Sequence, residues 1–167
     1  MRTPMIRAWD RAFTLVEILI TIVVMAIVVA VAIPSLSNDD GARLIGAVNM
    51  VASDLEYAQS LALADPNDPG LLKASADGTG YWVATSSDPD APILSQYSSE
   101  PRLVTFGVGA AAQLVGVTIS VGEESDVVQF DGFGRLAAMA DISVTVSNGA
   151  GDRVILVKAS TGVVEIQ

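Results

Sequence analysis

One long apolar run with a single carboxylate near its start constrains this chain more than any other feature. Residues 13–33 carry no charged side chain except Glu17, and as a helix they would be roughly 32 Å long, enough to cross a bilayer core of about 30 Å. A carboxylate at the centre of a bilayer costs on the order of 3 kcal/mol. No other side chain in the run can pair with Glu17, so we expect its partner to come from another molecule.

The charges on either side of this run predict its orientation in a membrane. Arg2, Arg7 and Arg11 precede it, and a polar stretch begins at Ser35. Because positive flanks stay in the cytoplasm, everything after the run is expected to lie outside. A cleaved export signal ending at Ala30-Val31-Ala32 is an alternative, although it gives Glu17 no role.

The run opens with a short motif, Ala12 followed by Phe13-Thr14-Leu15-Val16-Glu17. At these residues, behind a basic leader, the chain resembles the type IV pilin and type II secretion pseudopilin superfamily. The resemblance implies that a prepilin peptidase cuts between Ala12 and Phe13 and that the new amine of Phe13 is methylated. It also implies that Glu17 neutralises the Phe13 amine of a neighbouring subunit during assembly. The family usually has Gly before the cut, where this chain has Ala12.

The resemblance and the polarity pattern together predict four segments. Residues 1–12 are a leader peptide, and 13–34 are a transmembrane and filament-core helix. This segment ends at Pro34, which matches the family and is expected to kink the helix, because proline lacks a backbone donor and clashes with the preceding turn. Residues 35–64 continue the helix in amphipathic form, and 65–167 form a β-rich periplasmic head domain.

Periodicity supports the plan of the head. One apolar stripe recurs at helical spacing, formed by Leu44, Val48, Val51, Leu55, Ala58 and Ala62, whereas Asp54 and Gln59 are predicted on other faces. The period then changes to two. Candidate strands are 81–85, 93–97, 103–108, 117–121, 127–130, 135–139, 142–147, 154–157 and 163–166. The predicted fold class is α+β, a long N-terminal helix packed on an antiparallel β-meander.

Two motifs in the second half narrow the resemblance to the H-type minor pseudopilins. One is the run Phe130-Asp131-Gly132-Phe133-Gly134-Arg135, and the other is the closing turn Thr161-Gly162. We interpret Asp131 as a turn residue that bonds its own backbone rather than as a catalytic acid. If the H-type assignment holds, the subunit is expected at or near a filament tip, in contact with the next minor subunit.

Composition excludes several kinds of chemistry. The chain has neither Cys nor His, which removes disulfides, cysteine nucleophiles, His-based zinc sites and Ser-His-Asp triads. The net charge is −10, and loss of residues 1–12 leaves 6 basic and 18 acidic residues. This sign argues against nucleic acid as a partner.

No cofactor or metal is expected. The best oxygen-rich cluster for calcium is Asp65, Asn67 and Asp68, but its position already explains it as a helix stop. Acidic groups at Asp88 with Asp90, and at 123–126, lack the spacing of a calcium loop. We predict that the chain is not an enzyme.

The predicted function is that of a minor pseudopilin, a structural subunit of a type II secretion pseudopilus. Its expected partners are other pseudopilins or pilins, the prepilin peptidase and an inner-membrane assembly platform. The expected location is the inner membrane, with the head in the periplasm. Two alternatives stay open: a minor type IV pilin of a motility, adhesion or DNA-uptake pilus, and an exported soluble or anchored binding domain.

Overall fold

The computed structural model describes residues 14–36, 39–95, 99–122 and 126–167, with only the backbone given for 30–36 and 39. The chain divides into two units, the first ending at Asn38 and the second running from Asp39 to Gln167. Helix α1, Leu15–Leu36, forms the first unit in the described ranges. No helix in the described part of the chain is long and apolar enough to cross a membrane.

The second unit contains helix α2, Asp39–Ala64, and two antiparallel sheets. The first sheet has the strand order β3-β2-β1-β5 and the second has the order β4-β6-β7-β8. The strands are β1 Gly70–Ala74, β2 Gly80–Thr85, β3 Leu103–Thr105, β4 Thr118–Val121, β5 Val127–Gln129, β6 Ile142–Asn148, β7 Gly151–Val157 and β8 Val164–Ile166. A short 3-10 helix, Gly109–Ala111, follows β3. The α+β fold class predicted from the sequence is confirmed.

Helix α2 packs against β1 of the first sheet and against β6, β7 and β8 of the second. The six residues of the predicted apolar stripe, Leu44, Val48, Val51, Leu55, Ala58 and Ala62, are all buried. They meet an alternating set from the strands, which includes Leu72, Val83, Val128, Val144, Val146, Ile155 and Val157. One core therefore lies between the helix and both sheets.

The prediction of a single meander was wrong, because the strands separate into two sheets that share α2. Strand β1 was not predicted and lies in the middle of the first sheet, between β2 and β5. Its consecutive residues Leu71 and Leu72 are both buried. A strand that is covered on both faces shows no alternation of apolar and polar side chains. The five residues of β1 therefore lack the alternating pattern by which the other strands were predicted.

Two predicted strands are also corrected. Residues 135–139 form no strand, because Leu136 makes only an isolated bridge to Phe130 before the chain bends away. At 93–95 the structure has only an isolated bridge, between Leu94 and Pro101, while positions 96 and 97 lie outside the described residues.

Both ends of α2 are tied to the second sheet or to its connections. At the start, the side-chain amide of Asn148 in the β6–β7 turn donates to the backbone carbonyl of Asp40 at 2.6 Å. At the end, the amide of Gln59 donates to the carbonyl of Gly134 at 2.6 Å and to that of Thr161 at 3.3 Å. These bonds fix the helix at its first turn and again near its end.

Candidate functional site

The start of α1 is defined by a hydrogen bond between two residues of the N-terminal motif. Thr14 precedes the helix, and its hydroxyl oxygen accepts from the backbone N–H of Glu17 at 3.2 Å. This is the cap half of the Ser/Thr-x-x-Glu arrangement, in which the side chain before the helix satisfies a free donor of the first turn. Glu17 is also the acid in that first turn, where it complements the positive end of the helix dipole.

The capping role of Thr14 was missed in the sequence, although the spacing Thr14-x-x-Glu17 signals it. The carboxylate of Glu17 therefore has a local role at the helix start besides any role between subunits. The side chains that follow it along α1 are apolar and exposed as far as Val29, except Thr21. The hydroxyl of Thr21 donates to the backbone carbonyl of Glu17 at 2.7 Å, which leaves the surface of this segment apolar.

The structure gives less information on the other residues predicted for processing, for assembly and for the helix kink. Ala12 and Phe13 lie outside the described residues. Pro34 falls inside α1, which continues to Leu36, and its effect on the helix stays a prediction.

A rigid turn at residues 131–135 closes against the end of α2. Asp131 accepts hydrogen bonds from the backbone N–H groups of Phe133 and Arg135, each at 2.9 Å. Its second oxygen accepts from Nε and Nη2 of the Arg135 guanidinium at 3.0 and 2.8 Å. Although burial works in the opposite direction, these bonds to Arg135 and Phe133 hold the pKa of the Asp131 carboxyl below its usual value. Asp131 is thus the turn residue predicted from the sequence.

Close backbone contacts join this turn to α2 and to the last turn of the chain. Gly134 has a φ of 73° and lies against the side chain of Leu63, so that an added Cβ would approach it to 3.1 Å. Gly162 has a φ of 69°, and a Cβ there would overlap the carbonyl oxygen of Gly134. Both motifs that suggested the H-type resemblance therefore meet at one place, held together by Gln59.

Several large apolar side chains of the head are exposed. Phe133, at the tip of the locked turn, is 79% exposed, and Met139 is fully exposed at 103%. Leu63 near the end of α2 and Val163 in the last turn are also exposed.

A buried charged network surrounds Asp54 of α2. Asp54 is buried, which corrects the prediction that it faces outward. It accepts from the hydroxyl of Tyr81 at 2.8 Å and from Nε of Arg102 at 3.0 Å, and Nη2 of Arg102 also donates to it. The Arg102 guanidinium lies 4.1 Å from the centre of the Tyr57 ring.

An open groove of about 760 Å³ borders this network. Met50 and Ser53 of α2 line one wall, and β3 with the residues after it lines the other. Both Asp54 and Arg102 reach the groove but are bound to each other, and no His or Cys exists in the chain to act beside them. The arrangement has the character of a structural ion pair, with no nucleophile and base pair of the kind that covalent catalysis requires.

The predicted oxygen-rich groups have structural partners. Asp68 accepts from the backbone N–H and the hydroxyl of Ser87, each at 2.8 Å, and from the hydroxyl of Ser86 at 3.1 Å. These bonds, chiefly that of the Ser87 backbone, lower the pKa of Asp68. Asp90 pairs with Lys73. Within the described ranges, no three acidic side chains come together in a way that could hold a metal ion.

Two comparisons with known proteins point in the same direction. Residues 10–33 match the family model of the prokaryotic N-terminal methylation motif. Two crystal forms of the type IV minor pilin FimU of Pseudomonas aeruginosa strain PAO1 are similar in structure. The P21 form has a TM-score of 0.55 and 17% identity over 77% of this chain and 91% of that chain. The P65 form has a TM-score of 0.51 and 18% identity, over 73% and 90%. No curated protein sequence matches the chain.

Proposed function

We propose that this chain, which is type IV pilin-like in its N-terminal motif and its fold, is a minor structural subunit of a filament assembled from the inner membrane. The observation that carries the proposal is the position of Glu17, in the first turn of a helix whose other described side chains are apolar and exposed except Thr21. An isolated carboxylate in such a helix calls for a positive partner. A processed N-terminal amine on a neighbouring subunit would supply one.

Processing is proposed at the bond between Ala12 and Phe13. Prepilin peptidase would remove residues 1–12, and methylation would follow on the Phe13 amine. The match of residues 10–33 to the methylation motif supports this step. The segment 13–34 would then hold the subunit in the inner membrane and later in the filament core, with the head in the periplasm.

Assembly would use the amine of Phe13 and the carboxylate of Glu17 as partners between subunits. Two opposite charges tolerate a low dielectric only when they are paired, because each alone costs several kcal/mol after desolvation. The role is structural rather than enzymatic, and the absence of Cys and His from the whole sequence supports this.

Two machines fit such a subunit. The first is a type II secretion pseudopilus, as the H-type motifs at 130–135 and 161–162 suggest. The second is a type IV pilus, and the structural similarity to the minor pilin FimU favours it. Deletion of the gene separates them: loss of protein secretion with intact pili supports the first, and loss of surface pili with intact secretion supports the second.

The main test compares Glu17→Gln with Glu17→Ala in the full-length protein. Gln retains the capping arrangement with Thr14, since Ser/Thr-x-x-Gln also caps a helix, but it carries no charge. If charge pairing drives assembly, both variants should be cut and reach the membrane, and both should fall at least about tenfold in the sheared filament fraction, which corresponds to about 1.4 kcal/mol. Intact mass gives the processing state and immunoblots give the incorporation.

Thr14→Ala is the matched control, because it removes the cap while it retains the charge of Glu17. Normal incorporation of Glu17→Gln together with failure of Glu17→Ala would assign Glu17 to helix capping and overturn the pairing mechanism. An N-terminus at Ile33 instead of methylated Phe13 would show ordinary signal cleavage. Glu17 would then be lost with the leader, and an exported binding domain would replace the filament subunit.

A further inference from the structure

The turn between β6 and β7 contains the only asparagine of the sequence that is followed by glycine. The four asparagines are Asn38, Asn49, Asn67 and Asn148, and the residues after them are Asp, Met, Asp and Gly. An asparagine side chain loses its amide group when the backbone nitrogen of the next residue attacks it. A following glycine hinders that nitrogen least, because it has no Cβ and adopts many backbone conformations. Asn148 is therefore the asparagine most prone to deamidation.

The fold holds the side-chain amide of Asn148 from both sides. Its nitrogen donates to the backbone carbonyl of Asp40 at 2.6 Å, and its oxygen accepts from the backbone N–H of Ala150 at 2.8 Å. Attack by the Gly149 nitrogen must turn the plane of this amide and make its carbon tetrahedral, which both hydrogen bonds oppose. The bond to Asp40 is also the tie between the β6–β7 turn and the start of α2, so one side chain serves as both tie and reactive group.

We propose that Asn148 is a site of spontaneous deamidation that its tie to α2 protects, and that the reaction releases the start of α2 irreversibly. The backbone nitrogen of Gly149 forms a bond to Cγ of Asn148, and the bond from Cγ to the side-chain nitrogen breaks. Ammonia leaves with the proton of the Gly149 N–H. Water then opens the resulting cyclic imide to an aspartyl or an isoaspartyl link, and no oxidant or reductant takes part.

The product cannot restore the tie. A carboxylate has no donor for the carbonyl of Asp40. It also adds negative charge where the Asp40 carboxylate already lies, since a Cβ on Gly149 would be 3.5 Å from Oδ2 of Asp40, and like charges so close repel each other. Arg43 is already paired with that carboxylate at 3.3 Å. We therefore expect the first turns of α2 to open more often after the reaction, while the bonds of Gln59 near the helix end persist.

Gly149→Ala is the matched control, because it blocks the chemistry and retains the tie. Gly149 does not have a positive φ, and a Cβ there makes only an ordinary contact with Asp40. The added methyl hinders the attacking nitrogen and should slow deamidation at least about tenfold, which is about 1.4 kcal/mol in the barrier. Asn148→Asp is the opposite variant, since it carries the product without the reaction.

The first experiment measures the reaction. The purified full-length protein is incubated in detergent at mildly alkaline pH, with and without guanidinium chloride above its unfolding midpoint, and peptide mass spectrometry follows each asparagine. In the folded protein Asn148 should react before Asn49 and Asn67, yet at least about tenfold more slowly than in denaturant. In denaturant, Gly149→Ala should remove most of the reaction at position 148. Equal rates in folded and unfolded protein, or an earlier reaction at Asn67, would overturn the proposal.

The second experiment measures the release of α2 by hydrogen exchange of the backbone amides at 43–48. Exchange should be at least about tenfold faster in Asn148→Asp and in the deamidated fraction of the aged protein, which is a loss of about 1.4 kcal/mol of local protection. Aged Gly149→Ala and the amides at 59–64 should show no change. The aged protein reacts after folding, so it gives the answer even if Asn148→Asp does not fold.

Unchanged exchange at 43–48 in the deamidated protein would show that the tie does not hold the helix start, and the inference would fail. The outcome is independent of the proposed filament role, because both experiments use the purified protein and neither requires assembly.

Discussion

At the scale of single residues, Asp54 shows how a buried charge is accommodated in an apolar interface. Its carboxylate accepts hydrogen bonds from the hydroxyl of Tyr81 and from Nε and Nη2 of Arg102. Position 54 lies three residues after Val51 and four before Ala58, so it belongs to the same face as the stripe. The helical spacing was correct, but the polarity of Asp54 led to a prediction on the wrong face of the helix. Breaking such a pair strands an uncompensated charge, whereas a satisfied pair is tolerated.

The pKa of Tyr81 leads to a prediction about alkaline pH. Burial and then the negative charge of Asp54 raise the pKa of Tyr81 far above its ordinary value of 10.0. The unfolded chain therefore loses this proton above about pH 10 while the folded chain retains it, so stability is fully present below pH 10 and falls as the pH rises further. Urea midpoints between pH 8 and pH 11, followed by Trp82 fluorescence in a Trp9→Phe background, measure this loss.

The matched variant is Tyr81→Phe. It should cost about 1–2 kcal/mol at pH 7, because Asp54 loses one donor, and it should flatten the alkaline decline. An equally steep decline in Tyr81→Phe would show that another group causes it.

At the scale of elements, α2 is the part that organises the head. It contacts both sheets, and it is fixed at its start by Asn148 and near its end by Gln59. The turns at 131–135 and 158–163 have no regular pairing with each other. They are held by side-chain amide bonds and by glycines that permit close backbone approach, so small changes there should matter more than their exposure suggests.

Gly162→Ala should be strongly destabilising, and Gly116→Ala is its matched control. Both glycines have positive φ, 69° and 78°, so both variants carry the strain of a left-handed residue. A Cβ at 116 meets nothing within 4 Å, whereas one at 162 overlaps the Gly134 carbonyl. We expect losses of about 1 kcal/mol for Gly116→Ala and about 2–4 kcal/mol for Gly162→Ala.

Urea unfolding of both full-length variants in detergent gives the comparison. Equal losses would mean that the turns at 134 and 162 separate easily.

At the scale of the whole molecule, the absence of His and Cys shapes the response to pH. No side chain of the ordinary set titrates between about pH 5 and pH 8 when both are missing. Hydrogen bonds lower the pKa of several carboxyls: Asp68, bonded chiefly by the Ser87 backbone, Asp77 by the Thr79 backbone and Asp141 by the Ala159 backbone. Groups with lowered pKa contribute stability above about pH 4 that is lost as the pH falls.

We therefore predict a flat stability profile from about pH 5 to pH 8, with a decline below about pH 4. Urea midpoints of the full-length protein measure it across pH 2–8. A decline that begins near pH 6 would contradict this account, since the chain contains neither His nor Cys.

The sequence alone determined several features of this protein. The period of 3.6 predicted the buried stripe of α2, the period of two predicted strands such as β6, and the turn chemistry of Asp131 was identified from its neighbours. The apolar run with Glu17 and its motif pointed to a pilin-like chain. These features are local, because helical spacing, strand alternation and turn preferences are set by residues close together in the chain.

Only the tertiary structure decided the rest. Strand β1 is central because β2 and β5 form hydrogen bonds with its two edges. The remaining strands belong to a second sheet, and both sheets pack on α2. Asp54 turned inward because Arg102 and Tyr81, far away in sequence, supply its donors. Gln59 meets the turns that contain Gly134 and Gly162 across about a hundred residues. Contacts over such distances depend on the whole fold, so no local pattern encodes them.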